Sequence, residues 1–134
     1  MSETSTSSPW TTRVDIDGLF IEQYGRDEFV DQHDPEQVDI ALAAEGWRRA
    51  LEIVETADPD MLVLDEINVA VSFGLIPLEE VVSFVSERPE RLDLILTGRY
   101  APEELIALSD CVTEMREIRH HYRSGIAMRK GIEY

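Results

Sequence analysis

The feature that most constrains this fold is a pair of short apolar runs, each followed at once by a polar cluster. The first run is continuous, which is typical of a strand buried on both faces of a parallel sheet, and the second is interrupted by Asp93 but also predicts a strand. A stretch with helical spacing separates the two runs, so the sequence predicts a strand-helix-strand unit. The runs are Met61 to Leu64, before Asp65-Glu66, and Leu92 to Thr97, before Gly98-Arg99.

Three helices are predicted from apolar residues at helical spacing and from their end signals. The first begins at Asp34-Pro35 and runs to about Thr56, because aspartate is favoured as an N-cap and proline at the first helical position. The others cover Pro77 to Val85 and Ala101 to about Ser109. A last strand is predicted over Asp110 to Met115. Strands that alternate with helices in this way predict an α/β domain with a mainly parallel sheet.

The front of the chain has a different pattern. Residues Met1 to Thr12 are rich in serine and threonine and lack periodicity, which predicts a mobile tail. The rest, 13–134, is expected to form a single domain. Two interpretations fit the next residues: a hairpin that turns at Asp17-Gly18, or a single strand over Leu19 to Tyr24. The single strand is the favoured interpretation.

Composition excludes several classes of protein. The 28 acidic residues outnumber 12 basic ones, and the formal net charge of −16 repels phosphate backbones and anionic membrane surfaces. No apolar run approaches the roughly 20 residues that span a bilayer, and no secretory signal is present. A single cysteine, Cys111, excludes a disulfide framework and is expected to be a core thiol. We therefore expect a cytoplasmic protein without a nucleic-acid or membrane partner, and its acidity also suits high salt.

The strand ends are the expected place for chemistry, because parallel strands bring their carboxyl ends to one edge of the sheet. An acidic pair after an apolar strand has the form of a Walker B element, which holds Mg²⁺, although a solvated turn fits the pair as well. Arginine after a glycine turn suits a phosphate or an ordinary ion pair. The residues expected at this edge are Asp65, Glu66, Asn68, Thr97, Gly98, Arg99 and Glu114.

Other candidates are weaker. The histidines at His33, His120 and His121 have no third ligand at metal-binding spacing. Trp47 lies on the apolar face of the first predicted helix and is expected to pack in the core rather than stack on a base.

Several motifs, taken together and in order, resemble the ATP:corrinoid adenosyltransferases. That family transfers the adenosyl group of ATP to cob(I)alamin or cobyrinic acid a,c-diamide. The resemblance covers roughly Phe20 to Tyr134. It implies a P-loop NTPase-like (RecA-like) fold, with a mainly parallel sheet and flanking helices, truncated at its N-terminus. The motifs are Leu64-Asp65-Glu66-Ile67-Asn68, Arg88-Pro89, Leu96-Thr97-Gly98-Arg99, Ala101-Pro102-Glu103-Glu104-Leu105, Val112-Thr113-Glu114-Met115 and Gly131-Ile132-Glu133-Tyr134.

The resemblance implies roles for individual residues. Asp65 and Glu66 match the acids that serve Mg²⁺ and the ATP phosphates, and Glu66 and Arg99 are the expected catalytic residues. Thr97 and Gly98 match the strand end near the nucleotide. On the corrinoid side, the resemblance implies Phe29, and His120 in a tail near the active site. A tryptophan that family members carry two residues after the phenylalanine is Asp31 here. The resemblance also implies a homodimer.

The largest departure from the family is at the front, where members carry a strand and a glycine-rich loop of Walker A type. This sequence contains no G-x-x-x-x-G-K-[ST] motif, and its only lysine is Lys130. The loop cradles the triphosphate, and its strand is central in the sheet. Either Arg13 to Ile16 fills part of that gap, or another chain does, or the isolated domain is weakly stable.

Three hypotheses about function follow. The chain is an adenosyltransferase, active in itself or completed by a chain that bears a P-loop. In the second hypothesis, the chain is a non-catalytic corrinoid- or partner-binding relative that has lost the nucleotide site. In the third, the sequence is shortened and its true start lies upstream.

Overall fold

The computed structural model describes residues 3–8, 11–25 and 34–119. Among them, strand pairing forms a three-stranded sheet of order β1-β2-β3 and a two-stranded sheet of β4 and β5. The strands are β1 (Glu3–Ser8), β2 (Thr11–Ile16), β3 (Leu19–Tyr24), β4 (Met61–Leu64) and β5 (Asp93–Leu96). The helices are α1 (Gln37–Thr56), α2 (Ile67–Ser72), α3 (Leu78–Glu87) and α4 (Glu103–Leu108).

The front of the chain is a hairpin. Strands β2 and β3 pair antiparallel with Ile16 opposite Leu19, so Asp17 and Gly18 form the connection. Gly18 has a φ of +80°, in the left-handed region that glycine enters without steric cost. The hairpin interpretation is therefore confirmed. The predicted strand over Leu19 to Tyr24 is also confirmed in its bounds, but it pairs with a second strand before the turn and is not a single strand.

The residues expected to be a mobile tail, 1–12, include β1 and the start of β2. The structure thus differs from the expectation, because backbone pairing requires no apolar periodicity and threonine is favoured in strands. The expectation that Arg13 to Ile16 fills the gap in the parallel sheet is wrong, since these residues pair with β1 and β3 instead.

Strands β4 and β5 confirm the predicted parallel pair, in a register that places Met61 opposite Asp93 and Leu64 opposite Leu96. Leu64 and Leu96 pack against the helical core. The expectation that β4 is buried on both faces is wrong, because Met61 is 53% exposed and Val63 is 51% exposed. Among the described residues, helices cover only one face of this sheet, so its other face stays open.

Helix α1 starts two residues later than predicted. Glu36 is the N-cap, and its backbone N–H donates to Asp39 Oδ2 at 3.2 Å. The Asp39 carboxylate satisfies a backbone donor at the helix start, which compensates for its burial at 5% exposure. Helices α3 and α4 begin directly after Pro77 and Pro102, close to the predicted starts.

The core lies between the helices and the inner face of β4 and β5. Its buried members are Trp47, Ile67, Ile76, Val81 and Leu105. The Trp47 ring meets Phe84 edge-on at 5.4 Å, and its Nε1–H donates to Glu80 Oε2 at 2.9 Å. The prediction that Trp47 packs in the core is confirmed. No helix of the described ranges is long and apolar enough to cross a membrane.

The last predicted strand is wrong. Residues 110–115 have no regular structure, and Met115 is 95% exposed. Cys111 is exposed as well, so the expected core thiol is also wrong. A strand needs a neighbour to hydrogen-bond, and none of the described strands pairs with this segment.

Candidate functional site

Two turns lie side by side where the parallel strands end. One turn, Asp65-Glu66, joins β4 to α2, and the other begins at Thr97 after β5. The Thr97 hydroxyl donates to Asp65 Oδ1 at 2.5 Å and accepts from the Glu66 backbone N–H at 2.9 Å. The Thr97 backbone N–H donates to Leu64 O at 3.3 Å and extends the ladder between the strands. A single hydroxyl therefore ties the two turns together.

Glu66 has a backbone conformation that is rare for a residue with a side chain. Its φ is +62°, and it is the N-cap of α2. Such a conformation is held only where the surroundings enforce it, and it is often found at functional sites. The side chain is exposed, and it has no hydrogen-bond or ion-pair partner among the described residues. The turn thus leaves a carboxylate available to a ligand.

Gly98 allows the two turns to approach closely. Its φ is +117°, and a Cβ built there would lie 3.3 Å from Glu66 Cα and 3.3 Å from Asn68 Cβ. Asn68 also reaches across, since its Nδ2 donates to Gly98 O at 3.1 Å. Any side chain at position 98 would push the turns apart.

Arg99 follows this contact and is exposed. It makes no ion pair with any described residue, although the chain carries a formal net charge of −16. A guanidinium has the planar fork that binds carboxylate or phosphate oxygens in pairs. The edge therefore presents one free cation beside two carboxylates.

A family model described as ATP:corrinoid adenosyltransferase BtuR/CobO/CobP matches residues 3–134. The chain belongs to this family. A corrinoid adenosyltransferase of Sinorhizobium sp is 42% identical over 97 residues, which are 72% of this chain and 45% of the relative. The Escherichia coli K12 corrinoid adenosyltransferase is 35% identical over 96 residues, 72% of this chain and 49% of the relative. The chain spans about half the length of the curated relatives it matches.

Most residues predicted for the edge of this corrinoid adenosyltransferase domain are brought together there. Glu114 is not among them, because it forms an ion pair with Arg116 at 3.4 Å. Phe29 and His120, which the resemblance places on the corrinoid side, lie outside the described residues, as does His33. The residues whose contacts join the two turns are Asp65, Glu66, Asn68, Thr97 and Gly98, and Arg99 follows Gly98 in the chain.

The chemistry of the two acids fits Mg²⁺. This ion prefers oxygen ligands, keeps several waters, and is often held by one or two carboxylates together with substrate phosphates. One carboxylate oxygen of Asp65 accepts the hydrogen bond from Thr97, which leaves its second oxygen for a ligand. Both carboxylate oxygens of Glu66 are available. No group of three acidic, histidine or cysteine side chains that could hold a metal occurs in the described part of the chain.

The bridging role of Asn68 was missed by sequence reasoning, which placed it at the edge without a function. Helix α2, which carries it, was also not predicted, because its six residues are too few to show a helical period. The signal that could have revealed the bridge is an amide side chain two residues after the acidic turn, at the second position of the helix that follows.

Proposed function

We propose that this chain transfers the adenosyl group of ATP to the Co(I) of a corrinoid, either cob(I)alamin or cobyrinic acid a,c-diamide. The observation that supports the proposal is the hydrogen-bonded pair of turns, which joins Asp65 and Glu66 to Thr97, two residues before Arg99 in the chain. Membership of the family supports the same reaction. Because the chain spans half of its curated relatives, the reaction of the whole enzyme is a proposal for this chain.

The reaction asks the protein for position and charge rather than for proton transfer. The cobalt lone pair forms a bond to the 5′ carbon of ATP, the bond from that carbon to oxygen breaks, and triphosphate leaves with its electron pair. Co(I) is already a strong nucleophile. The protein therefore contributes by orienting the reactants and by stabilising charge on the leaving group.

The described residues suit the leaving-group end of this reaction. In the proposal, Arg99 binds a phosphate oxygen, and Asp65 and Glu66 hold Mg²⁺, which supplies positive charge to the triphosphate when bound. Thr97 keeps Asp65 in place through its short hydrogen bond. Phe29 and His120 remain proposed contacts of the corrinoid.

We further propose that a P-loop segment outside these 134 residues completes the site, whether in a separate chain or upstream in the same one. The printed sequence has no glycine-rich lysine loop to cradle the triphosphate. In addition, Met61, Val63 and Ile95 leave the outer face of β4 and β5 between 42% and 53% exposed, whereas parallel sheets are almost always covered on both faces. A second copy of this chain would cover the face without supplying the loop, so the homodimer expected of the family is a separate proposal. We also propose a cytoplasmic location.

The missing loop favours one alternative, a corrinoid- or partner-binding relative without catalysis. Isothermal titration calorimetry with Mg-ATP, and separately with a corrinoid, distinguishes the two functions. The adenosyltransferase predicts ATP binding that requires Mg²⁺ and that Glu66→Gln weakens by about tenfold or more, while Glu79→Gln on the exposed start of α3 leaves it unchanged. The alternative would be favoured if the folded chain binds a corrinoid but does not bind ATP, either alone or together with a chain that bears the P-loop.

A further inference from the structure

Asn68 connects the two turns in a way that the roles above do not use. It is the second residue of α2 and is 6% exposed, one of two buried polar side chains in the described part of the chain. Its Nδ2 donates to Gly98 O at 3.1 Å, and its backbone N–H donates to Thr97 O at 3.2 Å. One residue therefore holds two consecutive carbonyl groups of the opposite turn.

The carbonyl of Gly98 determines where Arg99 begins. A peptide unit is planar, so holding the Gly98 oxygen also fixes the N–H and Cα of Arg99. Gly98 itself supplies little restraint, because glycine populates a wider range of φ and ψ than any other residue. The hydrogen bond from Asn68 thus restrains the backbone unit from which the Arg99 side chain extends.

The other half of the amide supports this function. Asn68 Oδ1 is buried and has no hydrogen-bond partner. The amide orientation is defined, because Gly98 O accepts only and must face the donor Nδ2. An apolar side chain of the same size would fill the space without an unsatisfied acceptor. The donor to Gly98 is what the amide adds at this position.

We propose that Asn68 is a positioning residue, which orients Arg99 toward the leaving phosphate through the Gly98 carbonyl. The restraint on the Arg99 backbone stands on the geometry alone, whereas the phosphate target of its side chain rests on the proposed function. Two measurements separate these parts.

The first measurement is the backbone order of Arg99 by ¹⁵N relaxation in the full chain. Asn68→Ala removes the amide, and Asn68→Leu keeps a side chain of similar size without a hydrogen-bond donor. We expect either variant to lower the Arg99 order parameter from about 0.85 to below about 0.6. Val69→Ala is the matched control, since Val69 packs beside Gly98 without a hydrogen bond to it. An Arg99 as ordered in both Asn68 variants as in the parent chain would overturn the proposal.

The second measurement is the affinity for inorganic tripolyphosphate with Mg²⁺, by calorimetry, in the parent, Asn68→Ala, Arg99→Ala and the double variant. We expect Asn68→Ala to weaken tripolyphosphate binding about tenfold in the parent chain. In the Arg99→Ala background, the same substitution should leave the affinity unchanged. Equal losses in both backgrounds would refute action through Arg99. A parent chain that fails to bind tripolyphosphate would contradict the proposed function, and the relaxation measurement would still decide the positioning role.

Discussion

The close contact at Gly98 gives a prediction whose magnitude follows from two glycines of the same chain. Gly98 and Gly74 both have positive φ, +117° and +74°. A Cβ at Gly74 would meet nothing within 4 Å, whereas one at Gly98 would lie 3.3 Å from the backbone of Glu66 and from two side chains of α2. Gly74→Ala therefore introduces only backbone strain, of about 1 kcal/mol. Gly98→Ala adds the contact with a backbone atom that cannot move aside, so we expect about 3 kcal/mol in total.

Urea unfolding followed by circular dichroism measures both variants against the parent chain. We expect the midpoint to fall much further for Gly98→Ala than for Gly74→Ala, at unchanged slope. The difference between the two variants reports the approach of the turns together with the larger backbone cost of a Cβ at φ +117° than at φ +74°. Equal losses of stability, within about 0.5 kcal/mol, would show that the turns are not in contact and would refute the geometry of the site.

Three further predictions concern single contacts. Arg49→Met should lower the free energy of unfolding by about 2 kcal/mol in thermal melts, because it removes the ion pair at 3.0 Å from a Glu22 carboxylate that is only 9% exposed. Arg88 is the control, since its ion pair at 3.6 Å is with an exposed carboxylate. Arg88→Met should lower the same free energy by less than about 0.5 kcal/mol. Burial and the hydrogen bond to Glu22 raise the pKa of Tyr24 above its ordinary value of 10.0. The stability that the neutral Tyr24 contributes should therefore be lost as the pH rises above about 10. Thermal melts at successive pH values should show a smaller loss for Tyr24→Phe than for the parent chain. Thr97→Val should cost about 1.5 kcal/mol in urea unfolding, because a carboxylate and a backbone N–H both lose their partner, and a cost near zero would contradict the bridging hydroxyl.

Local signals predicted the parts of the fold that depend on neighbours in sequence. The apolar run at Met61 to Leu64 and the prolines at Pro77 and Pro102 define a strand and two helix starts without reference to the rest of the chain. The turn at Asp17-Gly18 also carried its own signal, which the favoured interpretation of a single strand did not use.

The parts that failed depend on partners distant in sequence. Asp110 to Met115 has the composition of a strand, yet strand formation requires a ladder neighbour that the described residues do not offer. Val63 is exposed because, among the described residues, no helix covers the outer face of β4 and β5. At the site, the acids and Arg99 were predictable from type and position, whereas the bridge from Asn68 to Gly98 depends on the register between β4 and β5.

The central claim is that Asp65, Glu66 and Arg99 form the leaving-group end of an adenosyl-transfer site that a P-loop segment completes. The most direct test is adenosylation of cob(I)alamin with Mg-ATP and a strong reductant in high salt, after circular dichroism confirms folding. The assay compares this chain alone, a P-loop-bearing fragment of a family member alone, and the mixture. We predict turnover by the mixture that falls at least about 100-fold with Glu66→Gln and is unchanged with Glu79→Gln. No turnover by a folded, associated mixture, or turnover that Glu66→Gln leaves intact, would contradict the claim.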